Sequence, residues 1–173
     1  MESLAVEHRV YALDLWGFGD SDKSESRFTI EQYVALVASF IEKMGIEQPV
    51  IVGHSLGAGV AVEYVCQNFD AVNKIMAVSL PLDPKTIDRR LLNFASSSVL
   101  SKVFRWKPIP SKEVEQEAAR AAENVIPLSL QSFAKLNILE KLYNLNCSVL
   151  LVYGEKDDVV DPTGVKALNG EPV

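Results

Sequence analysis

The sequence predicts an α/β fold: a mainly parallel sheet of four recognisable strands, flanked by helices and interrupted by an inserted all-helical segment. Three observations predict it. Four short apolar runs are continuous rather than alternating, as strands are when helices cover both faces of a sheet. A stripe of apolar residues at helical spacing separates the first two runs. A long stretch between the third and fourth carries no strand signal. The chain has 173 residues and 48% hydrophobic content, enough for one domain with a real core.

The runs lie at 10–15, 50–53, 75–80 and 148–153. In the helix between the first two, Thr29 can cap the N-terminus with Gln32 three residues on. Ile30, Tyr33, Val34, Val37, Ile41 and Met44 then share one face, and Gly45 supplies the stop. A second helix opens at Ser55 and runs to about Phe69. Strand–helix–strand–helix–strand is the pattern of right-handed parallel crossovers. From 81 to 146 the sequence predicts helices at 84–94, 111–123 and 128–143, broken at Ser96-Ser97-Ser98, at Lys107-Pro108-Ile109-Pro110 and at Pro127. That length far exceeds a simple crossover, so the segment reads as a lid. The expected organisation is core over 1–80, helical cap over 81–146, and a core strand with an acid-bearing loop over 147–173.

Composition excludes several functions. A net charge of −6 argues against nucleic-acid and anionic-membrane partners. The most apolar long stretch, 49–65, is interrupted by His54, Ser55 and Glu63 and is too short and polar to span a membrane. The first nine residues carry two acids and no apolar h-region, so a cytoplasmic location is expected. Cys66 and Cys147 show no metal spacing and read as reduced thiols. No motif calls for a cofactor or a metal. The oligomeric state is not legible.

The chemistry centres on Gly53-His54-Ser55-Leu56-Gly57, set between an apolar strand and a helix rich in small residues. That setting lifts a serine hydroxyl off a sheet edge as a nucleophile. Gly53 and Gly57 are expected to avoid collision with neighbouring backbone, and the Leu56 N–H is placed to donate to an oxyanion. At the end of the last strand, Gly154-Glu155-Lys156-Asp157-Asp158 offers a carboxylate that either orients a histidine or is merely solvated. The loop Asp14-Leu15-Trp16-Gly17-Phe18-Gly19-Asp20-Ser21 is either a plain connection or, through Trp16, Gly17 and Phe18, a pocket wall facing substrate.

These segments together resemble the α/β-hydrolase superfamily, in its serine-nucleophile, lid-bearing, esterase- or lipase-like branch. Residues 11–23 are similar to its Asp-x-x-Gly-x-Gly-x-Ser loop, 50–65 to its nucleophile elbow, and 148–162 to its acid-bearing strand and loop. The resemblance implies Ser55 as nucleophile and Asp157 as acid, with Asp158 or Asp83 as alternates. It implies a small, apolar, ester-like substrate shaped by Leu91, Leu92, Phe94, Phe104 and Trp106. Thioesterases, carbon–carbon bond hydrolases and cofactor-free haloperoxidases share the constellation.

The pattern is broken in two places. The family order is Ser, acid, His, yet the chain holds only His8 and His54. His54 is next to Ser55 and cannot readily turn its ring onto Ser55 Oγ, so it is expected to pack beside the turn. The family also places a strand between those matching 10–15 and 50–53, ending in a loop that gives a second oxyanion donor. Without it, these two strands leave a gap, pair directly, or recruit something else. The resemblance therefore implies a chain truncated at both ends and inactive by itself. The alternative is a non-catalytic derivative that binds a ligand or a partner; a histidine from a second chain is the third possibility.

Overall fold

The computed structural model describes residues 2–83, 116, 119–157, 159–160, 165 and 168. The helix expected at 84–94, most of that at 111–123, the five apolar residues assigned to the lid, and Asp158 lie outside these residues.

A short helix α1 (Glu2–Ala5) is followed by a single 3₁₀ turn (Glu25–Arg27) and then by α2 (Ile30–Lys43). Thr29 caps α2: its backbone is extended and its Oγ1 accepts the Gln32 N–H at 3.4 Å. Ile30, Tyr33 and Val34 are buried, but Met44, expected on the same stripe, is exposed at the helix end. Strand β1 (Val50–His54) leads through Ser55 into α3 (Leu56–Gln67), and β2 (Lys74–Val78) follows. Past the undescribed stretch come α4 (Val125–Phe133), α5 (Ile138–Tyr143) and β3 (Ser148–Val152). The strands form a parallel sheet in the order β1-β2-β3, with Ile51, Ile75 and Val149 in register.

Helix α3 packs on β1 and β2 and is itself covered by α2, α4 and α5. It is therefore buried nearly all round from Ala58 to Val65, which explains its small, apolar composition. Glu63 is the charged exception. Its Oε1 accepts Gln67 Nε2 at 2.8 Å, and its Oε2, shut off from solvent, faces Lys141 Nζ at 2.8 Å. This is an ion pair without the alignment of a good hydrogen bond.

Three sequence expectations require correction. First, 10–15 forms no ladder, so the described residues hold three strands rather than four. An apolar run reports only a preference for burial, whereas a strand needs a neighbour, and none of residues 10–15 is fully buried. Here Leu15 and Trp16 pack on the core and the Tyr11 ring meets Phe40 edge-on at 5.3 Å. Of the three outcomes anticipated for this side of the sheet, the gap is the one observed: β1 pairs with β2 alone among the described residues.

Second, the described helices do not cover both sheet faces. The strands alternate, with Val50, Val52 and Leu150 exposed and Ile75 and Ala77 buried. Third, Pro127 does not break a helix. It lies in the first turn of α4, where its missing N–H has no intrahelical partner to lose. The break falls later, where Asn137 starts α5 by accepting the Glu140 N–H and donating Nδ2 to Glu140 Oε2 at 2.8 Å.

Candidate functional site

The carboxyl ends of the three strands converge on one edge. At the end of β1, Ser55 stands at φ 51° and ψ −113°. A non-glycine residue held there costs about 1–3 kcal/mol, which the surroundings must enforce. The Ser55 N–H donates to Val78 O at 2.8 Å, tying the turn to β2. The Ser55 carbonyl accepts Ala58 and Gly59 at 3.0 and 3.2 Å, so the α3 ladder begins there and the Leu56 N–H stands outside it. Ser55 is half-buried at the positive end of the α3 dipole.

The two flanking glycines differ. A Cβ on Gly53 would fall on the Gly57 carbonyl and 2.6 Å from Ala58 Cα. A Cβ on Gly57 would meet nothing within 4 Å. The expected collision is therefore real at Gly53 and absent at Gly57: the Gly57 backbone lies against Gly53, but a Cβ on Gly57 would project from it into open space.

Asp157 lies in the turn after β3, its N–H donating to Gly154 O at 3.2 Å. Oδ1 accepts the Val159 and Val160 N–H groups at 2.9 and 3.1 Å, and Oδ2 accepts the Ser79 hydroxyl at 2.6 Å. Partial burial works to raise this carboxyl. The hydrogen bonds from Ser79, Val159 and Val160, with a smaller attraction from His54, prevail and hold it below the usual carboxylate value. Tyr153 secures the same loop by donating its hydroxyl to Leu80 O at 2.7 Å, and burial pushes that phenol up to about 12.

Ser79 and Tyr153 were not singled out from the sequence. No motif marks a serine just past a strand; only its φ of 48° sets it apart. Of the two histidines, His54 is exposed at the end of β1, in register with Val78, and His8 is exposed in the turn after α1. Cys66 and Cys147 are free, half-buried thiols, both raised by burial.

The Trp16–Gly17–Phe18 loop is closed on itself. The Asp14 carboxylate accepts the Asp20 N–H at 3.1 Å, and the Asp14 carbonyl accepts Ser21 Oγ at 2.6 Å. Gly17 is buried, and its N–H donates to Asp22 O at 2.8 Å. The Arg27 guanidinium lies 4.6 Å over the Trp16 ring. The loop also seats the chain leading into α4: Ala122 N–H donates to Gly17 O at 2.7 Å, and Arg120 pairs with Asp20. Asp14, Gly17 and Ser21 thus have structural work in this loop.

Residues 1–102, more than half of the chain, match the family of the alpha/beta hydrolase fold. The dihydrolipoyllysine-residue acetyltransferase component of the acetoin cleaving system of Cupriavidus necator is 38% identical over 80 residues, 46% of this chain and 21% of that protein. The (lyso)-N-acylphosphatidylethanolamine lipase of Homo sapiens is 30% identical over 91 residues, 49% of this chain and 27% of that protein. Among solved structures, an esterase from Exiguobacterium antarcticum superposes with a TM-score of 0.72 at 15% identity, covering 90% of this chain and 66% of that one. At that identity the likeness speaks for the fold alone. The chain spans about a fifth of the length of the first curated relatives it matches.

Proposed function

We propose, because the chain belongs to the alpha/beta hydrolase fold family, that it carries the nucleophile and acid of a serine hydrolase acting on small, apolar, ester-type substrates. The observation that carries the reading is Ser55 at φ 51°, between the end of β1 and the N-terminus of α3, with the Leu56 N–H outside the helical ladder. Ser55 Oγ adds to the acyl carbon, and the Leu56 N–H with the α3 dipole stabilises the oxyanion. Asp157 orients the base that takes the Ser55 proton and returns it to the leaving group. In this reading Trp16, Gly17 and Phe18 stand in the pocket wall, and the cap proposed within 81–146 excludes α4 and α5, which pack on α3 as part of the core.

That base is neither of the chain's histidines. His54 flanks the nucleophile in sequence, and His8 belongs to the turn after α1. Loss of a triad base costs on the order of 10⁶ in turnover, so the 173-residue chain is proposed to turn over negligibly by itself.

A fluorophosphonate probe with peptide mapping tests both halves. Labelling should be slow, should be accelerated by added imidazole, and should map to Ser55. Rapid stoichiometric labelling without imidazole would overturn the inactivity. Absence of Ser55 label in saturating imidazole would overturn the nucleophile and favour a non-catalytic, ligand-binding derivative.

A further inference from the structure

The Asp157 carboxylate has about four acceptor sites, two on each oxygen. Both sites on Oδ1 are taken by the Val159 and Val160 N–H groups, and one on Oδ2 by the Ser79 hydroxyl at 2.6 Å. Among the described residues, one site on Oδ2 remains. Ser79 is only 7% exposed, and its own N–H is committed to Val152 O at 2.8 Å. Against an ionised carboxylate its hydroxyl can only donate. The backbone is held at φ 48° there, a conformation disfavoured outside glycine, and the side chain so placed is the one that reaches Asp157. A residue needed only to end β2 would be better as glycine.

We propose that Ser79 is a positioning residue that fixes the Asp157 carboxylate so that the remaining Oδ2 site receives the ring N–H of the base. This rests on the reading of Asp157 as the acid. It goes further in assigning the orienting oxygen and the residue that selects it. Without Ser79 the carboxylate keeps its two backbone donors on Oδ1 but can rotate Oδ2 out of line. Both Oδ2 sites would then be open, and the orientation of an imidazole would no longer be unique.

The test uses the 173-residue chain with Ser79→Ala, Ser79→Gly and Asp157→Asn. Carbon-13 NMR titration of the Asp157 carboxyl should show its pKa raised in both Ser79 variants, as expected for one lost hydrogen bond to a charged group. Imidazole-supported fluorophosphonate labelling of Ser55 should fall several-fold in both, and in Asp157→Asn. The glycine variant relieves the backbone, so it separates the hydroxyl from the turn and serves if the alanine variant folds poorly. Ser79→Gly with an unshifted Asp157, or with full imidazole-supported labelling, would overturn the proposal while Asp157→Asn still lost that support. Asp157→Asn with undiminished support would overturn the acid reading itself.

Discussion

Gly53 and Ala58 approach so closely that a methyl group on the first would stand 2.6 Å from the Cα of the second. The contact is backbone against backbone and no rotamer relieves it. Gly53→Ala should therefore cost about 3 kcal/mol or prevent folding. Gly57→Ala meets open space within the first turn of α3 and should be neutral or stabilise by about 0.5 kcal/mol. Urea denaturation of the two variants checks the contrast, and equal losses would contradict it.

A Cβ on Gly59 would enter the ring of Phe133, 2.8 Å from Cδ2. Phe133 is buried in α4, so this contact docks α4 against α3. Gly59→Ala should cost about 2 kcal/mol and Phe133→Leu about 1 kcal/mol. The double variant should lose less than the sum by about 1 kcal/mol, since the smaller side chain makes room. A double-mutant cycle in urea measures the coupling; strict additivity would show that α4 does not seat on Gly59.

Lys141, paired with Glu63, titrates at the alkaline end. The contact with Glu63 is the largest influence on Lys141 and raises it above the usual 10.5, against the opposing effect of burial. A raised lysine contributes its stability below its unfolded value and loses it as pH climbs through the higher folded one. Lys141→Met leaves the Glu63 carboxylate buried with Gln67 alone and should cost about 2 kcal/mol. That difference from the natural chain should stay constant from pH 7 to pH 10 and shrink only above 10.5, as read from denaturation midpoints.

Asp157 behaves in the opposite sense. Its carboxyl is depressed despite burial, so its contribution is present above the ordinary 3.8 and lost as pH falls below that value. At neutral pH Asp157→Asn should cost about 1 kcal/mol, a figure kept small by the exposure of the loop. The gap between variant and natural chain should close as pH falls below 3.8, whatever the imidazole chemistry at Ser55 shows.

What the sequence disclosed follows from where each signal is stored. The Thr29 cap and the Ser55 turn are local, and both are present. The status of 10–15 as a strand depends on a partner that the run itself cannot specify, and composition alone read it wrongly. Pro127 looked like a break because proline is a breaker in helix interiors, yet its position within the helix decides the outcome. Ser79 and Tyr153 were invisible because their roles arise from partners 78 and 73 residues away. At Gly57 the motif suggested a collision that only the direction of its Cα–Cβ bond in the first turn of α3 could rule out.

Val78 and Ser79, consecutive at the end of the middle strand, have a consequence for accuracy. Ser55 hangs by its amide from Val78 O, and Asp157 is held by the hydroxyl of Ser79. Both groups are thus referred to one origin on β2 rather than to each other across the sheet. Small errors in how β1 or β3 twists or slides do not accumulate between them, because each outer strand is gauged separately against the same datum. The spacing of Ser55 and Asp157 is as precise as one strand end, not as loose as the whole sheet.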